Sequence, residues 1–208
     1  MTTVWFTADL HIGHESIAQY RRMVAKVGWK AWRSSTAAEW HDDHLAQNWD
    51  SCVAPEDTVW VLGDLSAGGH AAERRALEWI AARHGTKHLI AGNHDSCHPS
   101  RRDAHTRQAA FLGAFASVQP YARRRIAGHT VLLSHFPYTG DHTAEDRYPQ
   151  YRLPDLGEIL LHGHTHSHHQ QHGRQIHVGA DAWQLAPASL NQIAALITRT
   201  ENEPWPAN

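Results

Sequence analysis

The sequence predicts an α/β fold in which short strands alternate with helices. Five apolar runs have the composition of buried strands, at residues 4–8, 58–62, 88–91, 130–133 and 159–161. Helical patterns separate the first three runs, so the chain passes twice from strand to helix to strand within 92 residues. Such units form a parallel sheet with right-handed crossovers. Each run is followed by Asp, His or Asn, and ligands bind beyond the carboxyl ends of such strands.

The helices between these strands are predicted from apolar spacing and from capping residues. Residues 12–26 carry apolar side chains at roughly helical spacing, with Ser16 as a candidate N-cap. Thr36 and Glu39 form the pattern of a capping box, in which hydroxyl and carboxylate satisfy each other's backbone N–H groups. The helix that follows is expected to run to about residue 53.

Three acidic residues of this second helix are interpreted as a solvated face: Asp42, Asp43 and Asp50. A third helix is predicted over residues 71–83, with Gly85 as its terminator.

The second half of the chain is predicted to begin with a β-hairpin that turns at Gly128-His129. Three consecutive arginines precede the turn, Arg123, Arg124 and Arg125. They could reach an anionic substrate, but a solvated edge strand is favoured, since charges also protect sheet edges. Residues 137–154 form a polar loop directly after His135, in a position that often carries specificity.

Two further strands are predicted, over residues 175–178 and residues 193–197, and residues 200–208 are predicted to be a tail. No internal repeat or linker interrupts the chain, so a single domain over residues 1–208 is expected.

The strand at residues 159–161 ends in His162-Gly163-His164-Thr165-His166. Residues two apart at the end of an extended strand point to the same side, so His164 and His166 can present two imidazoles to one place. Imidazole is the commonest metal ligand among side chains. The other four strands deliver further ligand types: Asp9, His11, Asp64, Asn93 and His135. Seven donors exceed what one ion needs, and two ions sharing one carboxylate would use them.

These residues resemble the ordered motif set of the calcineurin-like metallophosphoesterases, and the chain is similar to their small single-domain phage and bacterial phosphodiesterases. The motifs are Asp9-x-His11, Gly63-Asp64, Gly92-Asn93-His94-Asp95, His135 and Gly163-His164-x-His166. The resemblance implies a metallo-dependent phosphatase fold, a four-layer α/β/β/α sandwich of two mixed β-sheets. It also implies that Asp64 bridges two ions. One ion would be held by Asp9, His11, Asp64 and His166, and the other by Asp64, Asn93, His135 and His164.

The ligand types suit divalent transition metals and disfavour Mg²⁺ and Ca²⁺. Manganese is favoured, with Fe, Zn, Ni or Co as alternatives. His94 is the residue left over beside this set. By resemblance it protonates the leaving oxygen or orients the substrate together with Asn93. Asp95 either holds the His94 tautomer, which is the preferred interpretation, or is structural. His14 is a candidate substrate contact or a surface residue.

Histidine is the outlier in composition, with twenty in the chain and seven between His162 and His177. Only His164 and His166 among those seven are assigned ligand roles. The remaining five are expected at the rim or on the surface: His162, His168, His169, His172 and His177.

Length and charge limit the classes of function. A chain of 208 residues with 41% hydrophobic residues can bury a full core. Two cysteines do not form a disulfide scaffold, and the first strand carries a predicted ligand, so no signal peptide is expected. No apolar run reaches the ~20 residues of a membrane span. A cytoplasmic enzyme is therefore expected, and the net charge of −2 disfavours long nucleic acid as its substrate.

The sequence thus predicts a binuclear metal-dependent phosphodiesterase acting through a metal-bound hydroxide, with Asp64 and His94 as catalytic residues. Small nucleotide-type diesters are the expected substrates, 2′,3′-cyclic nucleotides among them. A phosphomonoesterase or protein phosphatase is the first alternative, and a nuclease is the second. A non-enzymatic scaffold would be expected to lack ligands or His94, and the chain lacks neither.

Overall fold

Two five-stranded β-sheets and five α-helices make up the computed structural model, which describes residues 2–24 and 36–202. The elements are, in order, β1 (Val4–Thr7), α1 (Glu15–Val24), α2 (Ala37–Cys52), β2 (Thr58–Val61), α3 (His70–Ala81), β3 (Thr86–Ile90), α4 (Ala104–Leu112), β4 (Ser117–Gln119), β5 (Tyr121–Ile126), β6 (His129–Ser134), β7 (Ile159–His162), β8 (Gln171–His172), β9 (Gln175–His177), β10 (Ala188–Ser189) and α5 (Leu190–Asn202). Across these described residues, no helix is both long enough and apolar enough to cross a bilayer.

Both sheets are mixed. The first has the order β10-β1-β2-β3-β4, with β1 to β4 parallel and β10 antiparallel to β1. The second has the order β5-β6-β7-β9-β8, in which β6, β7 and β9 are parallel and the outer strands are antiparallel. The predicted metallo-dependent phosphatase fold, an α/β sandwich of two mixed β-sheets, is confirmed.

Strand β2 illustrates how the first sheet is buried on both faces. Val59 and Val61 pack on one face with α2, α3 and α4, while Trp60 on the other face belongs to a core shared with the second sheet. Leu133 and Leu161 reach that shared core from β6 and β7. Each fully buried side chain of this kind stabilises the fold by about 1.5–3 kcal/mol. The packing brings the carboxyl ends of β1, β2 and β3 to those of β6 and β7.

The capping box of α2 is present as predicted, with Glu39 N–H donating to Thr36 Oγ1 and Thr36 N–H donating to Glu39. The start of α1 differs from the prediction, because the helix begins at Glu15 and not after Ser16. The Glu15 carboxylate, in the first turn of α1, accepts the N–H groups of Ala37 and Ala38 and so caps the first turn of α2. This side chain therefore ties the start of α1 to the start of α2.

The strand predicted at residues 193–197 is wrong, because this segment lies inside α5. Its buried residues, Ile193, Leu196 and Ile197, have the i, i+3, i+4 spacing of a helix face. Ser189 and Gln192 form reciprocal side-chain to backbone hydrogen bonds at its start, a second capping box. Helix α5 also extends into the predicted tail, of which residues 203–208 lie outside the described residues.

Helix α4 and strand β4 have no counterpart in the sequence prediction. Asp103 precedes α4 without a side-chain capping bond, and the helix buries little besides Ala104 and Phe111, so its sequence pattern is weak. The hairpin turn also differs by one residue. Ala127 and Gly128 form it with positive φ angles, since His129 already pairs with Ile126.

The three arginines lie on β5, at the edge of the second sheet, as the solvated-edge interpretation predicts. Asp42 contradicts the prediction of a solvated face. Its carboxylate is buried, accepts the N–H of Gly13 and pairs with Arg75 at 3.0 Å. It thereby ties α2 to the loop after β1 and to α3. Asp43 and Asp50 are exposed as expected.

Candidate metal centre

All seven predicted ligands lie where the two sheets meet, each just beyond the carboxyl end of its strand. Backbone hydrogen bonds hold these ends together: Asp9 N–H donates to Gly63 O, and Gly163 N–H donates to His135 O. The carboxylate of Asp9 accepts the N–H of His164 at 3.0 Å, which joins the first sheet to the second. The strand ends therefore deliver their side chains to one buried place.

Five of these residues have a left-handed backbone, with φ between 48° and 69°: Asp9, His11, Asp64, His164 and His166. Residues other than glycine rarely adopt this region, and it costs on the order of 1–3 kcal/mol where the surroundings impose it. The sharp bend turns each side chain away from the direction of its strand and into the centre. Backbone strain is thus concentrated at the candidate ligands.

His11 and His166 form one half of the centre. Their Nε2 atoms face each other at 3.3 Å, and His166 donates from Nδ1 to Asp181 at 2.9 Å, which leaves its Nε2 as an acceptor. Two ligand atoms that each lie ~2.1 Å from one ion are about 3.0–3.4 Å apart. The pair, together with Asp9, therefore fits a single divalent ion.

His135 and Asn93 form the other half. His135 donates from Nδ1 to the carbonyl oxygen of Leu62 at 2.7 Å, so its Nε2 is an acceptor. That Nε2 faces Asn93 Oδ1 at 3.1 Å. Two acceptors pointed at each other repel in a buried site unless a cation lies between them. The donor set consequently fits a second ion here, with Leu62 fixing the tautomer of its ligand.

Asp64 lies between the two halves. Its Oδ2 is 3.5 Å from His135 Nε2 and 4.0 Å from His11 Nε2. Its Oδ1 accepts the backbone N–H of His94 at 2.9 Å, which fixes the orientation of the carboxylate. This placement is the one that a bridging ligand requires, and the bridging role itself stays a prediction.

The two central carboxylates, Asp9 and Asp64, differ in which protonation state the site favours. Burial and the neighbouring charge of Asp9 raise the pKa of Asp64 well above its usual value. Burial also acts to raise the pKa of Asp9, but nearby His177 and the charges of His166 and His135 outweigh it and hold that pKa low. Without a cation, one carboxylate is ionised and the other is driven towards its protonated form. Cation binding would release that proton.

His94 lies beside the centre with its side chain 39% exposed. It donates from Nδ1 to Ala67 O at 3.0 Å, and its Nε2 lies 4.0 Å from Asp64 Oδ2. Burial lowers the pKa of His94, whereas the bond to Ala67 acts to raise it. A ring fixed on one side with its other nitrogen free can exchange a proton with a bound molecule.

Asp95 does not contact the His94 ring, so the preferred interpretation that it holds the His94 tautomer is wrong. Its carboxylate accepts three backbone N–H groups, from Gly92, Asp64 and Leu65. Burial and the charge of Asp64 raise the pKa of Asp95 to about 7, against these hydrogen bonds. Asp95 is therefore structural, as the second interpretation held, and it joins the loops after β2 and β3.

His14 lies next to His11, with ring centroids 5.7 Å apart, and its buried Nδ1 has no hydrogen-bond partner among the described residues. Its proposed substrate contact stays a prediction. In the histidine-rich stretch, His168, His169 and His172 are exposed as expected. His162 and His177 are instead buried against each other, at 5.3 Å between ring centroids.

The position of His177 explains why the surface prediction failed. It follows Ile176 on β9, which pairs with buried β7, and its Nε2 lies 3.7 Å from Asp9 Oδ2. Gly179 leaves the space for it, because a Cβ there would lie 2.7 Å from Asp9 Oδ2 and 2.7 Å from His177 Cε1. His177 thus packs behind a predicted ligand.

Two carboxylates that contact predicted metal ligands have no role in the sequence prediction. Asp181 accepts from His166, and Asp141 faces His164 Nε2 at 2.9 Å. Asp181 follows β9 and Asp141 lies in the loop at 137–154, so neither is close in sequence to the histidine that it contacts. The only signal in the sequence is the position of each segment after a strand on the second sheet.

Gly63 offers a test of how tightly the centre is packed. An alanine Cβ there would lie 2.6 Å from Gly92 Cα and 2.7 Å from His135 Nδ1. Gly128, in the β5–β6 turn, has the same φ of 86° but has open space around the same position. Both Gly63→Ala and Gly128→Ala should lower the free energy of unfolding through backbone strain. Gly63→Ala should lower it by about 1–3 kcal/mol more, because its new Cβ overpacks the centre. Urea unfolding of both variants measures the difference, and equal losses would contradict the close packing.

Comparison with known proteins gives a consistent assignment. The sequence model of the family described as calcineurin-like phosphoesterase matches residues 2–124, which include Asp9, Asp64 and His94. The Gene 66 protein of Mycobacterium phage L5 is 50% identical over 98% of this chain and 98% of its own length. The Gene 66 protein of Mycobacterium phage D29 is also 50% identical, over 97% of this chain and 98% of its own length.

A solved structure supports the fold alone. The protein of unknown function AQ665 from Aquifex aeolicus superposes with a TM-score of 0.66 at 22% identity, covering 94% of this chain and 100% of that chain. His135, His164 and His166 lie outside the residues that the family model matches, so their placement rests on the geometry described above.

Proposed function

The chain belongs to the calcineurin-like phosphoesterase family of metal-dependent hydrolases, and from this premise we propose that it is a binuclear phosphodiesterase of small nucleotide-type substrates. The leading substrate candidates are 2′,3′-cyclic nucleotides. The observation that carries the proposal is the set of donors around the Asp64 carboxylate, where His11 and His135 face it and are themselves faced by His166 and Asn93. No serine or cysteine nucleophile is needed at such a site.

The proposed centre assigns Asp9, His11 and His166 to one ion and Asn93, His135 and His164 to the other, with Asp64 shared. Imidazole, carboxylate and amide ligands suit Mn²⁺, which we favour, and also Fe²⁺, Co²⁺, Ni²⁺ and Zn²⁺. When bound, the ions would activate the attacking water and neutralise charge on the phosphoryl oxygens.

The protein's own groups supply orientation and proton transfer. His94 presents Nε2 beside the centre while Ala67 holds its other nitrogen. In its protonated form it would donate to the ester oxygen that leaves, and the charge of a bound phosphate raises its pKa towards that form. Arg101 donates to Asn93 O at 3.3 Å and adds a positive charge on this side. An anionic substrate is therefore drawn to the side on which His94 stands.

A substrate panel tests the proposal. Purified protein with added Mn²⁺ would be assayed against 2′,3′-cyclic and 3′,5′-cyclic nucleotides, linear dinucleotides and phosphomonoesters. Faster turnover of diesters, with the 2′,3′-cyclic compounds among the best, is the expected outcome. A preference for monoesters would indicate a phosphatase instead, and turnover confined to long polynucleotides would indicate a nuclease.

Acid should remove the two proposed ions in sequence. Burial and the charge of His135 lower the pKa of His164 to about 4. Burial acts to lower the pKa of His166 too, but its bond to Asp181 and the charges of Asp9 and Asp181 raise it above the usual value. Only a neutral imidazole binds metal, so His166 takes up a proton first as pH falls.

We therefore expect the metal content per chain to fall from two to one, and then to zero, as the protein is equilibrated at successive values from about pH 8 to pH 4. Elemental analysis of each sample measures this. Loss of both ions in one step, or retention of both below the pKa of free histidine, would contradict the assignment.

A further inference from the structure

Each histidine of the Gly163-His164-Thr165-His166 segment contacts a buried carboxylate with one ring nitrogen. His164 Nε2 lies 2.9 Å from Asp141 Oδ2, and His166 Nδ1 lies 2.9 Å from Asp181 Oδ2. The side chains of Asp141 and Asp181 are 0% and 1% exposed. Neither carboxylate belongs to the seven proposed ligands.

An arginine holds each carboxylate in place. Arg21 donates to both oxygens of Asp181, at 2.9 and 2.7 Å, and also to the backbone oxygen of Asp9 at 2.8 Å. Arg147 donates to both oxygens of Asp141, at 2.9 and 3.3 Å, and Arg152 lies 3.6 Å away. Paired bonds from a planar guanidinium fix both the position and the rotation of a carboxylate.

The two contacts select opposite tautomers. An ionised carboxylate only accepts hydrogen bonds, so a neutral His164 carries its proton on Nε2 and a neutral His166 carries it on Nδ1. His164 is then left with Nδ1 as its free acceptor, and His166 with Nε2. The freed Nε2 of His166 is the atom that faces His11 Nε2. Each carboxylate accepts paired bonds from a guanidinium, Asp141 from Arg147 and Asp181 from Arg21, which is the arrangement that an ionised carboxylate makes.

Asp141 is not itself suited to bind an ion, although its oxygen lies within 4.8 Å of ring nitrogens of His142 and His164. Its Oδ1 accepts from Thr143 and Arg147, and its Oδ2 accepts from the backbone N–H and Nε of Arg147. An ion would have to displace these donors and approach a guanidinium. The carboxylate is therefore placed to orient the metal ligand His164 and not to bind the ion itself.

We propose that Asp141 and Asp181 are positioning residues, one for each ion of the binuclear centre. Asp181 orients His166 for the ion that it shares with Asp9 and His11. Asp141 orients His164 for the ion that it shares with Asn93 and His135. This inference rests on the proposed function, because it presupposes that the seven ligands hold two ions.

Asp141 also links the second ion to the loop at residues 137–154. The hydrogen bond from Arg147 and the ion pair with Arg152 tie the loop to the same carboxylate that orients His164. The loop residue His142 lies over both metal-binding histidines, with ring centroids 5.6 Å from His164 and 5.6 Å from His166. Loss of Asp141 should therefore release the loop as well as weaken the second ion.

Manganese binding to single variants tests the proposal. Asp141→Asn and Asp181→Asn keep the size and one acceptor oxygen, and the alanine variants remove the acceptor. Each alanine variant should weaken one ion by about 10–100-fold and leave the other near its wild-type affinity. The asparagine variants should lie between alanine and wild type. Asp155→Asn is the matched control, since Asp155 is an exposed aspartate paired with Arg174 at 3.0 Å, and it should bind as the wild type does.

Two readouts separate positioning from a general loss of structure. Electron paramagnetic resonance should show coupled Mn²⁺ pairs in the wild type and isolated Mn²⁺ in each alanine variant at the same metal concentration. In metal-free protein, ¹⁵N chemical shifts should show that His164 loses its Nε2–H tautomer preference in Asp141→Ala while His166 keeps its own, and the reverse in Asp181→Ala.

Unchanged affinities and tautomers in variants of a wild type that binds two ions would overturn this inference and leave the proposed function standing. A wild type that binds fewer than two ions would overturn the proposed function first. Equal loss of both ions in every variant would show that the carboxylates support the fold and do not act on separate ligands.

Discussion

Asp64→Ala is expected to remove both metal ions and to reduce phosphodiester hydrolysis to the uncatalysed background. Asp64 Oδ2 faces ligand atoms of both halves of the centre, His135 Nε2 at 3.5 Å and His11 Nε2 at 4.0 Å. Without it, each half keeps three ligands but loses the charge that holds the two ions together. The loss of metal affinity and activity should exceed the ~10–100-fold that follows when a residue hydrogen-bonded to a metal ligand is removed. Elemental analysis and the diester assay measure both effects.

Replacement of Asp64 by asparagine should not unfold the metal-free protein. Burial and the charge of Asp9 raise the folded-state pKa of Asp64. In the metal-free protein an ionised Asp64 is therefore unfavourable, and its stability falls as the pH rises from the unfolded pKa of ~3.9 through the folded value. Asp64→Asn should relieve this cost at neutral pH and leave thermal stability in chelator equal or higher.

Exposed Asp43 provides the control, because Asp43→Ala should change neither metal content nor activity. A variant at position 64 that keeps two ions per chain and normal turnover would contradict the bridging role.

His94→Ala should slow hydrolysis of a nucleotide diester by about 10²–10⁴-fold while leaving metal content near normal. Nε2 of His94 is the free ring nitrogen beside the centre, whereas Nδ1 is held by Ala67. The loss should depend on the leaving group. A ribose alkoxide needs a proton to leave and a nitrophenolate does not, so an aryl phosphodiester should lose much less activity.

Turnover of both substrates by His94→Ala, compared with the exposed-site control His105→Ala, measures this dependence. Equal losses on both substrates would indicate that His94 orients the substrate. Loss of an ion would mean that His94 is itself a ligand, and the assignment of the centre would then change.

The predicted ligands could be located from sequence because each follows directly after a strand. Asp9, Asp64 and Asn93 end parallel strands of one sheet, so their convergence follows from the topology. His135 and His164 end parallel strands of the other sheet in the same way. The strand pattern does not show how the two sheets face each other. The hydrogen bond from the His164 N–H to the Asp9 carboxylate joins the two sheets at the centre.

The groups that hold the ligands could not be predicted, because they come from separate segments. Arg21 of α1 reaches Asp181, which lies 160 positions away, and Asp181 then holds His166. The sequence predicts a solvated Asp42 because its helix position looks polar, yet Arg75 of α3 and Gly13 donate hydrogen bonds to its buried carboxylate. In each case burial is compensated by a partner that only the tertiary structure brings near.

Stepwise metal reconstitution tests the central claim most directly. Protein stripped by chelator would be titrated with Mn²⁺ while bound metal and hydrolysis of a 2′,3′-cyclic nucleotide are followed together. A binuclear phosphodiesterase predicts no turnover without metal and a rise in activity that levels off at two bound ions per chain. Full activity in the presence of chelator, or a plateau at one bound ion, would contradict it.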